Sequence, residues 1–356
     1  MSVKIIASWS KNTGRMFRMT SEKYDGYPLN KTMNVAIIGC GLIGMKRAKA
    51  LGGHTLIATC DPVIERAQKI CSIIGSGEAF TDWKQAIAHP KVDIVIVSTS
   101  NDWLTPIGLY ALEHNKHVLI EKPAARSSLE ISSFLKKATD LSKSVKIGFN
   151  LRYHPALLKA REIINSGVMG ELMFIRGRYG HGGRIGYDKE WRANPEISGG
   201  GELIDQGVHM IDLCRWFLGD FVSVKGDLAT YFWDMPVDDN AFLCLSTSKN
   251  QIAWIHVSCT EWKNMFSLEI YGKTGKIQID GLGGSYGVEK LTYYQMLPEM
   301  GPPKATVWEY PGEDNSWNLE FKAFVDAINT SSPFNGDIKD AYEALRIVDK
   351  VYGRIK

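Results

Sequence analysis

The sequence predicts an α/β protein in two parts: a doubly wound parallel sheet, then an α+β unit with a largely antiparallel open sheet. Three observations carry this. From Met33, short apolar runs alternate with segments of helical periodicity, the pattern of strands covered by helices on both faces. Near Asn150 the alternation stops, and from Val222 strand-like runs follow one another across short turns, as antiparallel strands do. At 356 residues the chain is also too long for one ordinary core. The reading is therefore an extension at 1–32, a doubly wound domain at 33–150 and a second domain at 151–356.

The elements follow in order. Residues 34–39 (NVAIIG) form an apolar strand and 42–51 a helix. Residues 55–60 (TLIATC) form the next strand, and 62–74 a helix opened by Pro62, since proline is tolerated in a first turn. A short helix at 82–88 precedes a buried strand at 93–98 (DIVIVS). A helix at 102–114, a strand at 117–120, a helix at 129–139 and a strand at 145–149 complete the first part. The second part opens with a helix at 156–166, ended by Gly167, and a strand at 171–179. A glycine-rich loop spans 180–201, and one helix runs over 202–217. Strands are expected at 222–231, 239–246, 251–259, 265–272 and 276–280, with Thr274-Gly275 at a hairpin turn, then helices at 317–329 and 338–354.

Gly39-Cys40-Gly41-Leu42-Ile43-Gly44 reads G-x-G-x-x-G, with a strand before it and a helix after. The glycines permit a tight turn, close approach of backbone to a pyrophosphate, and close helix packing. The helix N-terminus offers free N–H groups to phosphate. Asp61 ends the next strand, where it would hydrogen-bond the adenosine ribose and repel a 2′-phosphate. A Rossmann domain binding NAD rather than NADP is the expectation, with Arg66 the nearby residue that favours the alternative.

Composition narrows the class. Hydrophobic residues make up 44% and charged residues 23%, ordinary values for a globular chain. The net charge of +3 comes from the first 32 residues, which hold six basic and two acidic side chains. The remainder has 36 basic against 37 acidic groups, which argues against a nucleic-acid footprint. No apolar run approaches the ~18–20 residues of a membrane span, and no secretory signal is evident. The six cysteines are scattered without C-x-x-C, so reduced thiols, a cytoplasmic setting and no metal site are expected. Residues 1–32 have three readings: an ordered arm with a strand at 3–7, a targeting segment, or an upstream start before Met33.

Gly199-Gly200-Gly201 leads into Glu202-Leu203-Ile204-Asp205-Gln206-Gly207-Val208-His209. On a helix Asp205 and His209 share one face, and a carboxylate beside an imidazole can orient the ring and stabilise its protonated form. Lys122, in Glu121-Lys122-Pro123, ends a strand of the parallel sheet, where ligands of such sheets bind and where a cation can stabilise an alkoxide.

The combined pattern of G-x-G-x-x-G, Asp61, Glu-Lys-Pro and Asp205-x-x-x-His209 after a glycine run resembles the Gfo/Idh/MocA family of oxidoreductases, from Met33 nearly to the C-terminus. The resemblance implies an NAD-dependent dehydrogenase acting on a hydroxyl-bearing carbon of a sugar, inositol or derivative. It makes Lys122, Asp205 and His209 the catalytic set, with a cis bond before Pro123. It adds Thr99, Asn101, Glu121, Trp191 and Arg192 to the cofactor contacts, Glu121 also anchoring its loop. Around the substrate it places Asn150, Arg152 and Tyr153, and the donor-rich loop adds Arg184 and Tyr187. A homodimer or homotetramer through the second sheet is implied. Where the family often has a histidine three residues after Asn101, Leu104 stands here.

Alternatives stay open at this point. Arg152, Arg184 and Arg192 suit a uronate or sugar nucleotide, unless they pair with Asp188, Glu190 and Glu196. A tightly held NAD used for transient oxidation, and a sensor binding dinucleotide without turnover, are the further readings.

Overall fold

The computed structural model describes residues 31–141 and 143–355. The expected strand at 3–7 and nearly all of the N-terminal extension lie outside them. Six parallel strands form the first sheet: β1 (Asn34–Ile38), β2 (Thr55–Cys60), β3 (Glu78–Phe80), β4 (Ile94–Val97), β5 (His117–Ile120) and β6 (Val145–Ile147). Between and around them lie α1 (Leu42–Lys49), α2 (Ile64–Ile74), α3 (Trp83–Ala88), α4 (Asn101–Glu113) and α5 (Ser128–Asp140). Strand order is β3-β2-β1-β4-β5-β6. The chain winds outward from β1 to β3, then returns to β4 on the other side. That reversal opens a crevice at the carboxyl ends of β1 and β4. All four β4 residues are fully buried, which explains their continuous apolar run. The three-residue β3 pairs only with β2 at the sheet edge, too short to carry a periodic signal.

The second part contains α6 (Pro155–Asn165), β7 (Leu172–Gly180), α7 (Pro195–Ser198), α8 (Val208–Leu218), β8 (Phe221–Ala229), β9 (Asn240–Thr247), β10 (Ile252–Ser258), β11 (Met265–Gly272), β12 (Gly275–Asp280), β13 (Glu289–Gln295) and β14 (Lys304–Tyr310). The sheet order is β14-β13-β12-β11-β7-β10-β9-β8, antiparallel throughout except where β7 meets β10. Neither β13 nor β14 was expected. β14 is an outer strand with Lys304 and Ala305 exposed, so it lacks the alternation of a half-buried strand. Helices α6 and α8 and the later α10 (Ile338–Val351) pack on this unit. Contact with α8 is close: a Cβ on Gly177 of β7 would fall 2.2 Å from Met210 Cε.

The helix expected over 202–217 is two pieces. Leu203–Gly207 forms a π turn, and α8 begins at Val208. Such turns recur at functional sites because they re-aim a side chain within a helix. The turn begins against Asp238, whose Oδ1 accepts from the Gly201 amide at 3.0 Å and whose Oδ2 accepts from the Leu203 amide at 2.7 Å. A Cβ on Gly201 would lie 2.0 Å from the Asp238 carbonyl oxygen, so the glycine run is required for this approach.

One late helix belongs physically to the first sheet. α9 (Ser316–Thr330) buries Phe321, Phe324 and Val325 with Val35, Ile37, Ile96 and Leu119. Residues 151–356 therefore do not all pack in the second unit.

Candidate active site

β1 is followed by Gly39, whose φ of +92° and whose missing Cβ let the turn pass; a Cβ there would lie 2.5 Å from the Ser98 carbonyl oxygen. A Cβ on Gly44 would lie 2.0 Å from the Gly39 carbonyl oxygen. Gly41 differs. Its φ of −73° suits any residue, and a Cβ would meet nothing within 4 Å. It precedes α1 without a side-chain cap, so no cap side chain takes up the amides of the first turn, Leu42 and Ile43 among them. A cradle kept clear by a glycine that the fold itself does not need fits a dinucleotide pyrophosphate.

This separates two roles within one motif. Gly41→Val is expected to leave the unfolding temperature nearly unchanged and raise the dissociation constant for NAD by at least roughly tenfold. Gly44→Val is expected to destabilise the fold itself, by about 1–3 kcal/mol or more. Thermal unfolding and NAD titration on both variants check this.

Asp61, at the end of β2, accepts from the Cys40 amide at 2.9 Å and the Val63 amide at 3.0 Å. Two bonds leave acceptor capacity on a carboxylate. Arg66 reaches it only at 3.9 Å and is mostly exposed. Thr99 Oγ1 donates to the Ser100 carbonyl at 3.2 Å. Buried Asn101, at the start of α4, donates to the Ser198 carbonyl at 2.7 Å and so joins the first sheet to α7. Leu104 lies fully buried in the apolar core, which is the packing at this departure from the family pattern.

Lys122 follows β5, and the Lys122-Pro123 bond is cis, as the resemblance implied. Its Nζ donates to the Asp205 carbonyl at 2.7 Å and also to the Asp205 carboxylate. Arg192 Nε donates to the other carboxylate oxygen at 3.1 Å. Burial works against the Asp205 charge, but Lys122 and then Arg192 outweigh it and hold the carboxyl well below its ordinary range. His209 stands in the first turn of α8, buried, with Phe149 and Tyr179 edge-on at 6.1 Å each. Burial first, then the Lys122 charge, push the imidazole well below its ordinary value, against a smaller opposing pull from Asp205. Nδ1 has no hydrogen-bond partner among the described residues. The expected Asp205–His209 partnership is thus corrected. The π turn and the two cations take the carboxylate, and the ring is held neutral by burial.

Other expected contacts sort themselves. Asn101, Tyr187, Trp191, Arg192 and Asp205 line one pocket, together with Glu202. Arg152 does not join them. It is 3% exposed and bonds Asp212 at 2.8 and 2.6 Å, with Asp340 at 3.1 Å, so its charge is used within the core. Asn150 Nδ2 donates to Ser316 Oγ at 2.9 Å, and Tyr153 Oη lies 3.4 Å from the Asn335 carbonyl. Both are tied to the α9 and α10 region rather than to the pocket. Arg184 is exposed and bonds Glu190 at 2.6 and 2.5 Å. Glu121 is a buried partner of Arg47 at 2.6 Å, which makes it the anchor of its loop and takes its carboxylate away from a cofactor.

Sequence reasoning missed Glu202, Asp238 and His181. Nothing in their spacing marks them, because their partners arrive from distant segments.

Residues 33–149 match the family described as oxidoreductase family, NAD-binding Rossmann fold, and residues 157–278 match the Gfo/Idh/MocA C-terminal domain. The chain belongs to the Gfo/Idh/MocA family. Among its relatives, the levoglucosan dehydrogenase of Pseudarthrobacter phenanthrenivorans is 28% identical over 232 residues, covering 61% of this chain and 59% of that protein. The D-glucoside 3-dehydrogenase of Escherichia coli is 25% identical over 343 residues, 90% of this chain and 94% of that protein. The fold is that of a levoglucosan dehydrogenase solved with NADH and L-sorbose, at a TM-score of 0.81 and 21% identity, covering 90% of this chain and 96% of that one. Among the described residues of this Gfo/Idh/MocA chain, no helix is long and apolar enough to cross a membrane.

Proposed function

We propose that this protein is an NAD-dependent dehydrogenase that moves a hydride between nicotinamide and a hydroxyl-bearing carbon of a neutral sugar, inositol or related polyol. The observation that carries the reading is the meeting of Lys122, from the carboxyl end of β5, with the Asp205 turn that leads directly into His209. That junction faces the side of the first sheet where a dinucleotide lies. NAD, when bound, supplies the hydride acceptor. His209 takes the hydroxyl proton in oxidation and returns it in reduction. Lys122 stabilises the charge developing on the substrate oxygen. Asp205 holds Lys122 in place and, with Arg192, offers polar contacts to neighbouring hydroxyls.

The internal pairing of Arg152 and Arg184 favours a neutral substrate over a uronate or sugar nucleotide, since it leaves Arg192 alone among the three at the pocket. A sensor without turnover is disfavoured by the retention of Lys122, Asp205 and His209. A panel of inositols, aldoses, glucosides, uronates and nucleotide sugars, followed by NADH formation, tests the reading. Accumulation with a neutral polyol supports it, and accumulation only with anionic sugars overturns it.

Asp61 makes NAD the preferred cofactor, and kcat/KM with NAD is expected to exceed that with NADP by roughly tenfold or more because the carboxylate meets the 2′-phosphate. The neutral imidazole sets a pH expectation. A base must be unprotonated to act, and His209 is pushed below its ordinary 6.5. Oxidation, read as kcat/KM, should therefore persist as pH falls through 6.5 and decline only at more acid pH. A decline centred at or above 6.5 would contradict the assignment.

The second sheet has one face carrying exposed Ile252 and Trp254 beside the stacked pairs Phe174–Tyr271 and Phe242–His256. This face is the proposed surface for a homodimer or homotetramer, which sedimentation of the Trp254→Lys variant tests by loss of assembly. Six free thiols accord with a cytoplasmic setting.

A further inference from the structure

Glu202 stands in the pocket wall beside Asp205, Tyr187 and Arg192, and no step of the hydride transfer uses it. It is 1% exposed, and its Oε1 has no hydrogen-bond partner among the described residues. A buried carboxyl left unpaired is costly, so its presence in a pocket wall calls for a partner from outside the chain. The His181 ring approaches it, with Nε2 3.6 Å from Oε1. His181 Nδ1 accepts from the Gly183 amide at 3.0 Å. In the neutral ring the proton is therefore on Nε2, the nitrogen facing Glu202. The two nearby cations do not serve Glu202: Lys122 and Arg192 both bond Asp205. Asp238 on the other side is engaged by the Gly201 and Leu203 amides and the Tyr352 hydroxyl.

We propose that Glu202 is a second recognition group of this pocket, a neutral carboxylic acid that donates a hydrogen bond to a hydroxyl or carbonyl oxygen of the bound polyol, with His181 at its flank fixing its orientation. Glu202 and Asp205 line the same pocket three residues apart, where two carboxyls do not both ionise readily, and Asp205, paired with two cations, is the one that keeps its charge. Burial, and next the Asp205 charge, push Glu202 well above the ordinary carboxyl range, which agrees with that division. The proton stays on Glu202 throughout turnover. Its contribution is to fix which carbon of the ring is presented to His209 and Lys122. The inference rests on the polyol reading of the pocket.

Two variants and one spectrum test it. Glu202→Leu removes the donor at similar volume, and KM for an oxidised polyol is expected to rise roughly tenfold or more with a smaller fall in kcat. Glu202→Gln restores a neutral donor and is expected to recover most of that loss. NAD binding, measured by titration, should be little changed in both. Difference infrared spectroscopy of the full-length protein at neutral pH should show a protonated-carboxyl band that Glu202→Gln lacks. That band should shift when myo-inositol, levoglucosan or D-glucose is added. Absence of the band, a band that none of the three sugars moves, or a Glu202→Gln variant as impaired as Glu202→Leu each overturns the proposal. The spectrum decides the matter even if Glu202→Leu does not fold. If the band is present and shifts but no sugar yields NADH, the dehydrogenase reading fails while the donor stands. If NADH forms without the band, the reverse holds.

Discussion

Lys122→Ala and His209→Ala are each expected to lower the rate of hydride transfer by about 10²–10⁴-fold, the usual contribution of a positioned proton-transfer or charge-stabilising group. NAD binding should survive in both, because the open cradle at Gly41 and the carboxylate at Asp61 lie on other loops of the sheet. The two losses differ in character. Removing Lys122 leaves Asp205 with Arg192 alone at 3.1 Å, so the carboxylate loses the cation that most lowers it. Removing His209 leaves that ion pair intact and deletes only the base. Stopped-flow NADH formation with saturating substrate, beside NAD titration, separates them from folding defects. Wild-type rates in either variant would refute its role.

The second large effect concerns stability. Arg47 of α1 is 1% exposed. Its Nε bonds Glu121 at 2.6 Å, its Nη1 bonds Glu320 of α9 at 2.7 Å, and its guanidinium lies 4.4 Å from the Trp317 ring centre. Lys146 of β6 reaches Glu320 at 3.3 Å. The cofactor helix, the strand end that carries Lys122 and the late helix α9 are thus joined through one buried cation. Arg47→Leu leaves two carboxylates buried without it, and is expected to destabilise by about 3–5 kcal/mol. At about 2–4 °C per kcal/mol or somewhat less for a chain of this size, the unfolding temperature should fall by roughly 10 °C. Replacing Arg47 by Met and Glu121 by Gln together should recover most of the loss, since Glu320 keeps Lys146 as its partner and no charge then remains unpaired. Thermal and urea unfolding of the single and double variants check this. An Arg47→Leu protein as stable as wild type would show that the network is incidental.

How far the sequence alone reached is explained by where each signal lives. The nucleotide domain was legible because its determinants are local: four fully apolar residues in β4, glycines at fixed spacing after β1, an acid at the end of β2. Lys122 was singled out only in combination with the glycine motif and Asp205-x-x-x-His209, since a strand-end lysine alone is more often solvated; its bond to Asp205 comes from a segment 83 positions away. The chain from Asp205 to His209 was legible as a pair but not as a geometry, since helical spacing cannot reveal the π turn or the two cations that draw the carboxylate away from the ring. Arg152 looked like a substrate contact because its partners, Asp212 and Asp340, are 60 and 188 positions away. Glu202 and Asp238 were invisible for the same reason: a buried carboxyl and a cap are defined by what folds against them. β14 escaped because an outer strand does not need the alternation that marks an inner one.

Hydride transfer proposed at the junction of Lys122, Asp205 and His209 is followed with a neutral polyol that the panel shows to be oxidised, deuterated at the reacting carbon. Product nicotinamide is then read by nuclear magnetic resonance. Deuterium is expected at C4 of NADH, on one face only, with wild-type protein and essentially none with His209→Ala in the same time. Protium at C4 from a deuterated substrate, or undiminished transfer in His209→Ala, would contradict it.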